Sequence, residues 1–216
     1  SLLLPARLRG PGGIIYRFAR SADDFADEGE ATPQQRLEAL AVYRVELERI
    51  GVGEPPRTAL FRDVERIVRE HKLPLPLFVA LLDAFSQDVT KQRYADFAEL
   101  LDYCRRSANP VGRLLLQLFG KTDQASLLQS DSICTALQLI NFWQDVEIDF
   151  AKGRIYLPQD EMREHGVSEE QIAARRCDDG WRALIGFQIE RARALMSSGA
   201  PLARALPGRM GLEIRA

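Results

Sequence analysis

Apolar residues recur at three- and four-residue intervals along almost the whole chain, and the alternation expected of a half-buried strand is absent. The segments begin and end on local signals. Gly12 and Gly13 precede a first helical stretch reaching Glu28. Thr32-Pro33-Gln34-Gln35 is a capping box with proline at the first helical position, and it opens a helix toward Ile50. Gly51 to Pro56 is a connector, after which Thr58 caps a helix to His71. Pro74 and Pro76 mark the entry to a helix over 77–90. Asp96-Phe-Ala-Glu99 is a second capping box, and its helix is expected to break or kink at Asn109-Pro110. Helices are predicted over 113–119, ended by Gly120, and over 123–150. Lys152-Gly153-Arg154 reads as a turn leading into an extended Ile155–Pro158; Ser168 caps a later helix and 181–197 forms another. Short connections favour antiparallel helical neighbours. The expected fold is all-α, a single-domain bundle over 1–216.

Two stretches break the apolar pattern in the same way. In the 123–150 helix, Gln138, Asn141, Asp145 and Asp149 fall along one stripe, flanked by Leu137, Leu139, Phe142 and Val146. A core helix fills such a stripe with aliphatics, because each buried unpaired polar group costs about 1–3 kcal/mol. The stripe therefore faces either a functional cavity or solvent. In the first segment Tyr16, Arg20, Asp23, Asp24 and Asp27 lie opposite Ile15, Phe18 and Ala22. Here Arg20 can simply pair with Asp23 or Asp24, a surface contact of well under about 1 kcal/mol. The pairs Asp23/Asp27 and Asp145/Asp149 are each spaced i, i+4, so each aims two mutually repelling carboxylates one way. Something cationic is expected between them. Two such faces opposed across a cavity suit Mg²⁺ and a polyphosphate.

Composition narrows the alternatives. Lys and Arg number 29 against 31 Asp and Glu, a formal balance of −2, and a dedicated nucleic-acid binder would be markedly basic. At 216 residues the chain suits one domain with a substantial core. Cys104, Cys134 and Cys177 match no zinc spacing and fit a reducing cytoplasm, with Cys104 and Cys134 inert in apolar helices. His71 and His165 fit no metal spacing, and Trp143 reads as packing. No apolar run is long enough to span a bilayer, and no signal peptide is visible. No Gly-x-Gly-x-x-Gly joins a strand to a helix, so there is no Rossmann nicotinamide site, which weighs only weakly against a reductive step; no NADPH is predicted. The start at Ser1 and the abrupt end after Gly211-Leu-Glu-Ile-Arg-Ala read as truncation at both ends.

The segment Arg20–Asp27 resembles the first aspartate motif of the squalene/phytoene synthase family, and Gln138–Pro158 resembles the second. Tyr103-Cys-Arg-Arg-Ser-Ala-Asn-Pro-Val-Gly112 stands where that family carries a tyrosine-rich signature, and the resemblance runs from Ser1 to Gly211. It implies an isoprenoid-synthase bundle around a central cavity, with both motifs binding Mg²⁺ ions that hold a prenyl diphosphate. Under that resemblance Asp23, Asp27, Asp145 and Asp149 are the catalytic, metal-facing carboxylates. Asn141 joins them as a ligand and Gln138 lines the site. Tyr16 and Arg20 touch diphosphate, as does Arg154 on a flexible turn. Phe18, Phe85 and Phe142 would wall an apolar pocket for a carbocation.

Two departures narrow the branch. Ala108-Asn109-Pro110-Val111-Gly112 replaces the commoner Ala-Gly-Thr-Val-Gly, and Gln144 replaces an arginine directly before the second motif. Both are similar to the hopanoid-pathway enzymes that turn presqualene diphosphate and water into hydroxysqualene and pyrophosphate without reduction. Asn109 and Gln144 either position that water or merely repack the helix kink. The alternatives are head-to-head condensation of two farnesyl diphosphates, giving presqualene diphosphate, squalene or a phytoene-type product, and a non-catalytic assembly-factor relative. The cysteine usage fits a cytoplasmic protein, and an apolar substrate and product suggest peripheral contact with the inner membrane face, beside upstream and downstream enzymes of the pathway.

Overall fold

A computed structural model describes residues 5–27, 29–206 and 211. They form twelve helices: α1 Ala6–Asp27, α2 Pro33–Gly51, α3 Ala59–His71, α4 Leu75–Thr90, α5 Phe97–Ser107, α6 Asn109–Phe119, α7 Gln124–Gln144, α8 Val146–Ala151, α9 Gln159–Glu164, α10 Glu169–Ala173, α11 Asp179–Gly199 and α12 Leu202–Ala205. No strand occurs among the described residues; a single parallel bridge joins Arg93 to Ile155. The all-α expectation holds.

Most boundaries follow the capping chemistry. Thr32 and Gln35 form both halves of the predicted box, and Thr58, Asp123, Ser168 and Asp178 each accept a backbone N–H of the helix they open. Asp96 accepts from the Glu99 N–H at 2.9 Å, but Glu99 turns to the Ala95 N–H at 2.6 Å and to Lys91, so the second box closes one residue early. Three boundaries differ from the sequence reading. α1 begins at Ala6, upstream of the glycine pair, and carries Pro11 within it. α6 begins at Asn109 with Pro110 in its first turn, where the missing proline N–H costs nothing. The long helix predicted to 150 stops at Gln144, where Asp145 adopts φ −101°, ψ 14° before α8.

Four buried apolar clusters form among the described residues, and two of them frame the site. One joins α1–α4 and α6 around Phe18, with Phe61 and Phe78 edge-on to it at 5.9 and 5.1 Å. The other gathers Tyr94, Tyr103, Leu139, Phe142 and Tyr156. α7 is held close on two sides. A Cβ at Gly112 of α6 would collide with the Ser130 and Cys134 side chains, and one at Gly199 of α11 would lie 2.6 Å from the Gln129 carbonyl. Only glycine permits these approaches, which fix where the end of α7 delivers its carboxylates.

Candidate active site

The last turns of α1 and α4, the α7–α8 junction and the turn after α8 converge. α1 brings Asp23 and Asp27; α4 brings Asp88; α7 and α8 bring Asp145 and Asp149; the turn brings Lys152 and Arg154. The cations lie between the acid pairs. Arg154 meets one oxygen of Asp27 at 2.6 Å while Lys152 donates to the other. Arg154 also donates to the Asp88 carbonyl at 3.2 Å. Its side chain is only 15 % exposed, so it is tied down, in contrast to the flexible placement expected from sequence.

The turn is fastened from behind. Arg93 donates to the Gly153 carbonyl at 2.6 Å and holds Glu169 through two bonds of 2.7 Å. The N–H groups of Ile155, Gln159 and Asp160 bond the carbonyls of Gln92, Tyr94 and Ala95 at 2.9–3.1 Å. The predicted extended run from Ile155 thus pairs with the α4–α5 connection. It lays Tyr156 flat on Phe142 with centroids 3.7 Å apart, next to Tyr94 at 5.6 Å and Tyr103 at 6.0 Å.

Charge follows this geometry. Burial pushes the Asp149 carboxyl up to about 6, with Asp145 adding to the rise and Arg154 and Lys152 opposing it. Burial likewise raises Asp23. It acts upward on Asp27 too, but the Lys152 hydrogen bond and the Arg154 charge hold that group below its usual value. Asp88, 8 % exposed, is pushed up to about 7 by burial although Tyr103 donates to it at 2.7 Å. Tyr94, Tyr103 and Tyr156 are raised, first by burial and then by the Asp88 charge, and stay neutral phenols.

Asp23, Asp27, Asp145, Asp149 and Arg154 therefore share one site. Arg20 borders it, paired with Asp23 at 3.3 Å and Asp24 at 2.8 Å. Tyr16, 68 % exposed, stands one turn earlier over an open hollow against Leu60 and Asp63 of α3. Gln138 is half-buried and Asn141 exposed on the face leading to Asp145. Leu137, expected on the apolar flank, is 49 % exposed beside them.

Two candidates fall elsewhere. The Asn109 side-chain amide oxygen accepts from the Thr135 hydroxyl at 3.0 Å; Thr135 lies ten residues before Asp145, roughly 15 Å along the helix axis. Gln144 is exposed at the end of α7 and borders two hollows, one against α11 and one against α10. Phe18 and Phe85 belong to the first core, so of the three expected wall residues Phe142 alone joins the aromatic cluster. The sequence reading missed Asp88, Lys152, Tyr94 and Tyr156. Asp88 had a signal: it continues the buried stripe Leu81, Ala84 and Phe85 of α4, where an aliphatic would ordinarily stand.

Comparison with known proteins identifies the family and the fold. Residues 1–216 match the squalene/phytoene synthase family. The chain is 35 % identical to a hydroxysqualene synthase of Sinorhizobium fredii over 189 residues, covering 87 % of this chain and 63 % of that protein. It is 33 % identical to a phytoene synthase of Mycobacterium tuberculosis, covering 91 % and 65 %. The crystal structure of squalene synthase HpnC from Alicyclobacillus acidocaldarius superposes with a TM-score of 0.91 at 38 % identity, covering all of this chain and 80 % of that one. The chain belongs to the squalene/phytoene synthase family, and it spans about two thirds of the length of these curated relatives.

Proposed function

We propose that the intact protein ionises a prenyl diphosphate with the help of Mg²⁺, and that its substrate is presqualene diphosphate, captured by water to give hydroxysqualene and pyrophosphate. The observation that carries this reading is the meeting of Asp27 from α1 with Lys152 and Arg154 from the turn after the second aspartate pair. An anionic leaving group entering here finds two cations already in place, and Arg20 at the border adds a third. Such groups oppose charge that grows as a carbon–oxygen bond breaks.

The donor set suits magnesium. Asp23, Asp27, Asp145 and Asp149 offer hard oxygens, with Asn141 beside them. Among the described residues no three acidic, histidine or cysteine side chains close into a ready-made cage. That fits an ion usually held by one or two carboxylates plus phosphate oxygens. When bound, Mg²⁺ would act as a Lewis acid on the diphosphate oxygens. Tyr16 and Gln138 remain candidates for the rim of the site, and the exposed Leu137 offers apolar surface beside it for the prenyl chain. Asn109 has no part in water capture in this proposal, since its side chain is buried and bonded to Thr135, and Gln144, exposed beside Asp145, is assigned none. Asn109 is better read as packing.

Relatives named hydroxysqualene synthase support the water-capture branch. Relatives named phytoene synthase, at similar identity, support condensation of two prenyl diphosphates as the second reading. No helix among the described residues is long and apolar enough to cross a membrane; delivery of an apolar product would then rest on peripheral contact. Incubating the full-length protein and Mg²⁺ separately with farnesyl and presqualene diphosphates decides the branch. Hydroxysqualene from the second substrate alone is expected, whereas phytoene or squalene from the first would replace this reading with condensation.

A further inference from the structure

The Asp88 carboxylate has one oxygen engaged and one free. Oδ2 accepts from the Tyr103 hydroxyl at 2.7 Å. Oδ1 is buried without a hydrogen-bond partner. A buried carboxylate oxygen with nothing to bond is costly, and such an atom in a folded protein calls for a role. Nothing in the diphosphate chemistry above uses it.

The surroundings define that role. From α5 comes Tyr103; from the α4–α5 connection, Tyr94; from the segment after α8, Arg154 and Tyr156; from α1, the charges of Asp23 and Asp27. Asp88 thus lies between the mouth, where pyrophosphate would leave, and the aromatic cluster of Tyr94, Tyr103, Phe142 and Tyr156. Ring faces of this kind attract a cation. Tyr103 donates to Oδ2 and thereby fixes the plane of the carboxyl group, leaving the Oδ1 lone pairs available to a small donor.

We propose that Asp88 is the proton acceptor of the water-capture step, holding the attacking water through Oδ1. The inference rests on the hydroxysqualene reading. The balance is simple: the carbon–oxygen bond to diphosphate breaks and pyrophosphate leaves with the electron pair. The water oxygen then bonds the carbocation, and one of its protons passes to Oδ1, leaving a neutral alcohol and a protonated Asp88. No oxidant or reductant enters.

The test uses the full-length protein, Mg²⁺ and presqualene diphosphate, following pyrophosphate release and lipid products in parallel. Asp88→Asn keeps the size of the side chain and an acceptor for Tyr103 but offers no base. It is expected to keep releasing pyrophosphate while the alcohol share falls by about a hundredfold, the lower range for a placed general base, in favour of hydrocarbons formed by proton loss. Asp88→Glu, which restores a carboxylate, is expected to recover part of the alcohol. An unchanged alcohol share in Asp88→Asn sinks Asp88 while leaving the hydroxysqualene reading intact. Loss of pyrophosphate release in Asp88→Asn also overturns the proposal, because Asp88 would then serve ionisation or folding. If the unmodified protein makes no alcohol from this substrate, the reading itself fails and the role of Asp88 falls with it.

Discussion

Asp88 ends the buried stripe of α4, and the folded protein keeps its proton far above the usual carboxylate range, to about 7. The unfolded chain releases that proton near the ordinary value of 3.8. Between these values the native state binds more protons, so the contribution of Asp88 to stability declines as pH rises through the window and is lowest above about 7. Urea denaturation of the metal-free protein between pH 5 and 8 is expected to show Asp88→Asn gaining on the parent as pH rises; parallel curves would contradict the assignment. Arg154 acts on chemistry instead. Replacing it by Ala removes a mostly buried guanidinium from Asp27, and a loss of about 10²–10³ in the rate of pyrophosphate release is expected, the range for one preorganised electrostatic contact. Lys152→Ala, at a more exposed position, should cost less in the same assay.

At the level of elements, α7 is the beam from which the second acid pair hangs, and small residues set its place. Gly112→Ala and Gly199→Ala each force a methyl into Ser130 and Cys134 or into Ile133 and the Gln129 carbonyl. Each is expected to destabilise by about 1–3 kcal/mol in equilibrium unfolding, as overpacking typically does. α9 and α11 are joined by a nearly buried ion pair. Arg191 grips both oxygens of Glu161 at 2.6 and 3.0 Å, Gln188 bonds the same carboxylate, and the guanidinium lies 3.8 Å over the Phe97 ring. Arg191→Ala strands that carboxylate, and a loss of about 3–5 kcal/mol follows for breaking one side of such a pair. The elements themselves were largely legible, because caps such as Thr32 and Ser168 are local chemistry. The break at Asp145 was not. Periodicity runs straight through it, and the Asp149 N–H still bonds the Asp145 carbonyl at 2.8 Å, so the deviation leaves no mark on spacing.

For the whole molecule, the site forms where two separately packed cores meet, and that junction explains what sequence could and could not reveal. The aspartate pairs were visible as local inversions of an apolar pattern. The contact of Asp27 with Lys152 bridges 125 positions, and no local rule carries a pairing of that range. Asp88 escaped for the opposite reason, as the one buried carboxylate of a strongly apolar helix with its partner on another element. Convergence from α1, α4 and α7–α8 also predicts cooperative ligand binding. Thermal unfolding of the full-length protein should shift upward with Mg²⁺ and inorganic pyrophosphate together, and far less with either alone, since no ready-made cage exists among the described residues. Equal shifts from magnesium alone would show that the carboxylates suffice.

Arg93 joins the Gly153 carbonyl to Glu169 at the start of α10. Through that strut, the loop bearing Lys152 and Arg154 is tethered to a short helix that buries Gln171 and Ile172 and packs on α8. The seat of both positive side chains thus depends on a carboxylate, Glu169, that stands well away from the acid pairs in sequence.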